Sequence, residues 1–426
     1  MGMNETPAAQ RVHIGFFGKR NAGKSSVVNA VTGQDLAVVS NQKGTTTDPV
    51  YKSMELLPLG PVVIMDTPGI DDDGELGLQR VKKSYQVLNK TDMAVLVIDG
   101  SQGPSVEDVQ LLRRIKEKKI PCLVVMNKED LLEESGNLQA EKEKTEAALS
   151  NDLIIKERIV WVSAVQKTGI YQLKEQLAHL IPAEEEAQRI VGDLLSPSDF
   201  VVLVVPIDKA APKGRLILPQ QQTIRDILDS RAAAIVVKDQ ELETTLKELG
   251  KKPRMVITDS QVFAKVSAVT PSEIPLTSFS ILFARYKGNL ETVIKGVTVL
   301  ESLKDGDHVL ISEGCTHHRQ CDDIGSVKIP KWIQTYTKKE LVFEFTSGTE
   351  FPEDVSRYRL IVHCGGCMLN EREMKYRLSS SSDQQVPITN YGILIAYIQG
   401  ILKRSLMVFP ELPALLEHPL ECREDE

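Results

Sequence analysis

No run of apolar residues in the chain approaches the ~18 that a membrane-spanning helix needs. The best stretches, 200–207 and 393–402, are short and read as protein core. A basic excess is lacking too: 51 Lys and Arg face 59 Asp and Glu, for a net charge of −8. That balance argues against a nucleic-acid partner, because such binding depends on cationic side chains neutralising phosphates. The first residues, MGMNETPAAQ, have neither the basic nor the apolar region of a secretory signal. They fit the loose myristoylation pattern at Gly2 and Thr6 without a second membrane signal. The expectation is therefore a cytoplasmic protein with no membrane partner. The chain has six cysteines, and without a secretory signal a disulfide framework is not expected.

At roughly 100–200 residues per domain, 426 residues should form two to four domains, and three are expected. From 12 to 180, strand-like runs (12–18, 62–66, 93–99, 121–127, 159–163) alternate with helical patterns such as 23–32 and 105–118. That rhythm predicts a mostly parallel sheet with helices on both faces. Pro182 and Glu184–Glu186 read as a linker or helix start. A second α/β unit follows, with strands at 200–205, 233–237 and 255–258 and helices at 220–230 and 240–249. It has no Gly-rich loop ending in Lys-Ser or Lys-Thr, and its basic Lys213-Gly-Arg215 reads as a solvated loop. The composition shifts again near 271–275. The predicted division is thus 1–182, 183–272 and 273–426, an α/β fold in three parts. Within the last, Ser379–Ser382 reads as a flexible loop, 391–405 as a helix, and the final ten residues as a frayed tail.

Gly18-Lys-Arg-Asn-Ala-Gly23-Lys24-Ser25 fits G-x-x-x-x-G-K-[ST] between a strand and a helix. The glycines let the backbone wrap phosphate, and the helix N-terminus adds its positive end. Lys24 would reach the β and γ phosphates and Ser25 would hold Mg²⁺. Asp66-Thr-Pro-Gly69 ends a later strand. Asp66 would face Mg²⁺ and the Gly69 amide would sense the γ-phosphate. Asn127-Lys128-Glu-Asp130 ends another strand. A carboxylate at Asp130 can accept two hydrogen bonds from guanine, a pair that adenine lacks, which selects GTP over ATP. Ser163-Ala164 fits the loop that backs the base. The predicted nucleotide-binding set is Gly18, Asn21, Ala22, Gly23, Lys24, Ser25, Ser26, Asn127, Lys128, Asp130, Ser163 and Ala164. Ile70 follows Gly69 where Ras-like enzymes place a water-orienting Gln. An aliphatic side chain cannot orient water, so intrinsic hydrolysis should be slow.

Cys315-Thr-His317-His318 and His363-Cys364-Gly-Gly-Cys367 gather thiol and imidazole groups that suit a metal. Three readings are open on spacing alone: a Cys₃His zinc site, a redox Cys-x-x-Cys after a strand, and an iron–sulfur cluster on three cysteines. Cys122 and Cys422 read as buried bystanders, Cys321 as ambiguous, and His318 as a solvated or outer residue.

Two resemblances narrow these readings. Gly44-Thr45-Thr46-Thr47-Asp48 resembles switch I of TrmE–Era-type GTPases. This implies that Thr46 completes the Mg²⁺ shell, giving a catalytic set of Lys24, Thr46, Asp66 and Gly69. Asn21 matches the P-loop asparagine of potassium-activated members, which implies a K⁺ site. Switch I (about 34–50) and switch II (about 70–79) are placed by position. A GTPase of this type followed by C-x-H and then H-C-x-x-C resembles the [FeFe]-hydrogenase maturation GTPases over essentially the whole chain. The resemblance implies a GTP-binding domain, a dimerisation domain and a cluster-binding domain. Cys315, Cys364 and Cys367 would hold a [4Fe–4S] cluster with one exchangeable iron position, with His317 and His363 near it. It further implies a homodimeric scaffold that receives a diiron precursor built with two radical-SAM maturases and delivers it to apo-[FeFe]-hydrogenase, with GTP in a regulatory role. The rival readings are a ribosome- or tRNA-associated GTPase with structural zinc, and a GTPase switched by a Cys364–Cys367 dithiol.

Overall fold

The computed structural model describes residues 6–34, 49–71, 75–133, 138–150, 154, 156–180, 189–206, 216–288, 290–314, 323–348 and 350–417. Gly2, Thr46, residues 213–215, Cys315, His317, His318, Cys321 and Cys422 lie outside the described residues, as does most of the expected switch I. The chain divides into two compact units, 1–186 and 187–426.

The first unit runs β1 (Val12–Phe17), α1 (Lys24–Thr32), β2 (Val50–Leu56), β3 (Gly60–Asp66), α2 (Glu75–Leu88), β4 (Met93–Asp99), α3 (Val106–Glu117), β5 (Cys122–Asn127), α4 (Glu129–Glu133), α5 (Leu138–Ser150), β6 (Ile159–Trp161) and α6 (Ile170–Leu180). The strands form one sheet in the order β2-β3-β1-β4-β5-β6. Every pairing is parallel except β2 with β3. The parallel strands are near-continuous apolar runs because both of their faces are buried. Side chains alternate along each strand: Ile14, Phe16, Val95 and Val97 join Val27, Val28 and Val31 of α1 in one core. Phe17, Leu96 and Ile98 join Leu111, Leu112 and Ile115 of α3 in another. At the start of α3, Ser105 and Asp108 form a reciprocal capping box, with acidic residues in the first turn and basic ones in the last. Such a cap stabilises a helix by about 1 kcal/mol. β2 is the one strand of this sheet that the sequence reading left out. Its sequence VYKSMEL is mostly exposed, as an edge strand without apolar alternation would be.

The second unit contains two four-stranded sheets, both wholly parallel. The first comes from β7 (Phe200–Val204), α7 (Leu218–Asp229), β8 (Ala233–Val237), α8 (Leu242–Glu248), β9 (Met255–Thr258), α9 (Phe263–Val269), β10 (Leu276–Ser278) and α10 (Phe279–Lys287), in the order β10-β9-β7-β8. The second comes from α11 (Leu290–Val297), β11 (His308–Ser312), α12 (Ile329–Thr337), β12 (Val342–Thr346), β13 (Leu360–His363), α13 (Glu371–Asp383), β14 (Ile388–Asn390), α14 (Tyr391–Ile398) and α15 (Leu402–Ser405), in the order β12-β11-β13-β14. The expected α/β class with three sheets is therefore what the chain adopts. One continuous core serves both sheets, from Val201 and Val256 through Phe283 and Ile294 to Ile311 and Val362.

Two expectations need correction. The boundary after 272 cuts off β10, which pairs in register with β9: Leu276 with Val256, Thr277 with Ile257 and Ser278 with Thr258. Three residues are too few for a strand to announce itself by alternation. Ser379–Ser382 is not a loop but the end of α13. That helix is capped by Asn370, which accepts from the Glu373 amide, and is anchored through buried Arg377 and Leu378. Ser381 is itself fully buried and donates to the Val386 carbonyl. Tertiary packing here overrides the weak helix propensity of serine.

Candidate functional site

In the first unit, β1, β3, β4 and β5 point their carboxyl ends to one edge, where parallel α/β sheets hold ligands. The loop from β1 into α1 carries Gly18, Asn21 and Gly23 at φ of 141°, 60° and 89°. Only glycine fits at the two ends. A Cβ on Gly18 would lie 2.1 Å from the Val97 carbonyl oxygen, and one on Gly23 would lie 2.1 Å from Asn127 Nδ2. Asn21 is exposed, Ala22 and Lys24 are buried, and Ser25 and Ser26 are half-buried in the first turn of α1. Lys24 Nζ donates to the Gly18 carbonyl at 2.9 Å and the Lys19 carbonyl at 2.7 Å, so its charge sits within the loop.

Ser25 Oγ donates to Asp66 Oδ2 at 2.7 Å. Asp66 Oδ1 is buried with no hydrogen-bond partner among protein atoms. Burial pushes the Asp66 pKa up, against the opposing pull of the Ser25 hydrogen bond and the Lys24 charge. A hydroxyl and a desolvated carboxylate with one unused oxygen fit a hard divalent cation. The segment after β3 crosses the phosphate loop: Ile70 N donates to the Gly18 carbonyl at 3.4 Å, and Arg20 N donates to Asp71 Oδ1 at 2.6 Å. A Cβ on Gly69 would lie 2.6 Å from Arg20 Cγ. Ile70 is buried, so the position after Gly69 presents no polar side chain.

Asn127 ties three loops together. Its Nδ2 donates to the Ala22 carbonyl at 2.9 Å and its Oδ1 accepts from the Ala164 amide at 3.1 Å. Lys128, at φ 66°, is held by Asp99 Oδ2 at 2.5 Å. Asp130 lies half-buried in the first turn of α4. Ser163 is buried and its Oγ accepts from the Gln166 amide at 3.1 Å. The phosphate loop, the 127–130 segment and the 163–164 loop thus meet at one edge. Sequence reasoning missed Asp99, Arg20 and Asp71. They fill no fixed position of a motif, and their roles come from the fold.

In the second unit, β13 ends at His363 and runs into a tight loop carrying Cys364 and Cys367, both half-buried thiols. Cys364 N donates to the Ser312 carbonyl at 2.9 Å. Cys364 Sγ accepts from the Gly314 amide at 3.0 Å and the Gly366 amide at 3.4 Å. Gly366 is at φ 60° and a Cβ there would meet Met374 Sδ at 2.6 Å. Burial and the neighbouring Cys364 push the Cys367 thiol up, opposed by Lys287. Paired thiols that already receive backbone N–H groups fit a thiophilic metal or cluster. Among the described residues, no three His, Cys, Asp or Glu side chains gather to hold a metal, and Cys315 lies outside them. His363 is buried with both ring nitrogens engaged, Nδ1 with the Cys364 carbonyl at 2.6 Å and Nε2 with Arg377 Nη1 at 3.0 Å. Because Arg377 can only donate, Nε2 accepts and Nδ1 carries the proton. This histidine borders Cys364 and braces the loop from the interior. Arg377 is fully buried, and it also binds Glu373 Oε1 at 2.9 Å, Ser312 Oγ at 3.2 Å and the Gly348 carbonyl at 2.8 Å.

Three family models match the chain: a 50S ribosome-binding GTPase over 13–128, the hydrogen maturase F dimerization domain over 190–288, and the hydrogen maturase F tetramerization domain over 291–408. Among curated proteins, the tRNA modification GTPase MnmE of Clostridioides difficile is 33% identical over 167 residues, 39% of this chain and 34% of that protein. GTPase Der of Kosmotoga olearia is 28% identical over 234 residues, 53% of this chain and 50% of that protein. The chain thus spans a third to a half of the length of these relatives. Among solved structures, Era of Aquifex aeolicus bound to GDP.AlF4− covers 53% of this chain and 92% of its own, at 20% identity and a TM-score of 0.36. No helix among the described residues is long and apolar enough to cross a membrane. Two hydrogen maturase F models follow one another across more than half of the chain, behind a P-loop GTPase domain, and the chain belongs to the hydrogen maturase F family of GTPases.

Proposed function

We propose that this chain is a cytoplasmic, GTP-timed carrier in [FeFe]-hydrogenase maturation: a homo-oligomer that accepts a diiron precursor from two radical-SAM maturases and delivers it to apo-[FeFe]-hydrogenase. The observation that carries the reading is the hydrogen bond from the Gly314 amide to Cys364 Sγ. Gly314 directly precedes Cys315 in the sequence, so the last described residue before that cysteine lies against Cys364. Cys315, Cys364 and Cys367 would hold a [4Fe–4S] cluster, with His317 near it. When bound, such a cluster supplies one iron without a protein thiolate, to which a second iron unit can attach. The working parts are a GTP-binding part over 1–182, a dimerisation part extended from 183 through β10 and α10, and a cluster part beyond them.

GTP would lie on Gly18, Asn21, Ala22, Gly23, Lys24, Ser25 and Ser26, with guanine between Lys128 and Ala164, read by Asp130 and backed by Ser163. Ser25, Thr46 and Asp66 would hold Mg²⁺, which supplies charge neutralisation at the phosphates. Lys24 would exchange its two loop carbonyls for phosphate oxygens, and the Gly69 amide would meet the γ-phosphate. Buried Ile70 cannot align a water, so turnover is slow and suited to timing. Exposed Asn21 is the proposed K⁺ ligand, and K⁺ would supply part of the missing charge stabilisation. The names of the two matched oligomerisation domains support a tetramer rather than the simple dimer expected at first.

The test is cargo delivery. Chain purified from cells co-expressing both maturases should activate apo-hydrogenase, and Cys367→Ala chain prepared in the same way should not. Equal activation by the variant would overturn the reading.

A further inference from the structure

Lys287 ends α10, in the segment matched by the dimerization-domain model, yet its side chain serves the cysteine loop. The residue is 5% exposed. Its Nζ donates to the carbonyls of Leu369 at 2.8 Å, Gly366 at 3.2 Å and Cys367 at 3.4 Å. Three carbonyl oxygens need three N–H donors, which the ammonium has and the neutral amine lacks. A surface-type lysine in a helix would place its charge in water, whereas this one lies beneath the only tight turn between Cys364 and Cys367. Its helix is fixed independently at both ends. Ser278, the last residue of β10, caps α10 by accepting from the Ile281 amide at 3.2 Å, and Arg285 binds Asp193 Oδ1 at 2.9 Å. Asn390 and His363 lie in the same pocket lining as Lys287 and Cys364, with Phe283, Val293 and Leu378 forming its apolar wall. A charge in such surroundings is poorly screened by water.

We infer that Lys287 is a positioning residue for the cysteine loop: its ammonium fixes the turn through the three carbonyls and places a positive charge beside the thiolates. The inference rests on the cluster reading above. Two consequences follow from elementary electrostatics. A positive charge favours whichever cluster state carries one more electron, so it raises the reduction potential. A turn held from below also restrains the loop that carries both thiolates, which slows loss of iron.

The experiment uses the full-length chain reconstituted with iron and sulfide under anaerobic conditions, comparing wild type with Lys287→Met and Lys287→Gln. Both variants remove the charge, and Gln keeps a polar group able to reach a carbonyl. The expected result is a lower midpoint potential in both, by about 59 mV, a tenfold change for a one-electron couple. Iron extraction by a chelator should be about tenfold faster in Lys287→Met and less accelerated in Lys287→Gln. If a variant fails to take up cluster, hydrogen exchange at the Leu369 and Gly366 amides of the apoprotein carries the test. Faster exchange supports the inference and wild-type exchange overturns it. Wild-type potential and extraction rate in both variants would likewise overturn it. Absence of any cluster in the reconstituted wild type would instead defeat the cluster reading and leave the apoprotein exchange result to decide the loop role.

Discussion

Replacing Asn127 by Ala should damage the GTP-binding unit twice. The residue is 3% exposed, and its side-chain amide makes one bond to Ala22 and one to Ala164. Ala22 is 2% exposed, so its carbonyl loses its side-chain donor out of reach of water. That orphaned acceptor costs about 1–3 kcal/mol. The Ala164 amide is half-buried and water can partly replace its partner, so about 1 kcal/mol or less is added. The total, about 2–4 kcal/mol, is a large share of the ~5–15 kcal/mol that a domain has in all. Asn127→Asp should be worse than Asn127→Ala, because it keeps the acceptor for Ala164 but turns a second oxygen toward the Ala22 carbonyl. Urea unfolding can read this unit alone, since Trp161 lies in β6 and Trp332 in α12 of the other unit. A Trp332→Phe background leaves Trp161 as the single reporter. GDP affinity should fall at least tenfold in Asn127→Ala, since Ala22 and Gly23 form the floor of the phosphate loop. A loss of under 1 kcal/mol in Asn127→Ala, or an Asp variant as stable as wild type, would refute the reasoning.

Other outcomes follow from the same geometry. Lys24→Ala should abolish GTP hydrolysis while the unit stays folded; full turnover by that variant would remove the site. Asp130→Asn should weaken GTP by about 100-fold, from the ~1.5–3 kcal/mol of a charge-assisted hydrogen bond, and should improve binding of xanthosine triphosphate, both measurable by competition against labelled GDP. Arg377→Met strands the buried Glu373 carboxylate and should destabilise the second unit by about 3–5 kcal/mol, read from Trp332 fluorescence in urea; a change below 1 kcal/mol would contradict it. At the Asp193–Arg285 pair, burial works to raise the Asp193 pKa but the Arg285 hydrogen bonds outweigh it and hold the carboxyl low. Its contribution is present above the unfolded carboxylate pKa of about 3.9 and is lost as pH falls through the lower folded value. The pair is partly exposed, so Asp193→Asn should cost under about 1 kcal/mol at pH 7 and nothing in strong acid.

The candidate nucleotide site was legible in the sequence as a motif because its chemistry is local. Gly18, Gly23, Lys24 and Ser25 must stand at fixed spacing for one loop to wrap a phosphate, and the fold added only their braces, such as Asp71 on Arg20. The strands buried on both faces were equally legible, since 93–99 and 122–127 are continuous apolar runs. Edge strand β2 and three-residue β10 were not, as neither carries a periodic signal. Ser379–Ser382 misled because serine composition suggests a loop, whereas Ser381 faces the core. Lys287 and Arg377 gave no sign at all. A charged residue in a helical pattern reads as solvated, and only packing between elements far apart in the chain reveals two buried cations supporting the cysteine loop.

The most direct test of the account is the metal content and EPR spectrum of the full-length chain purified without oxygen and reconstituted with iron and sulfide. The account predicts a reducible [4Fe–4S] signal that is lost in Cys364→Ala while GTP hydrolysis persists. Stoichiometric zinc with no cluster, or a reversible Cys364–Cys367 disulfide with no metal, would contradict it.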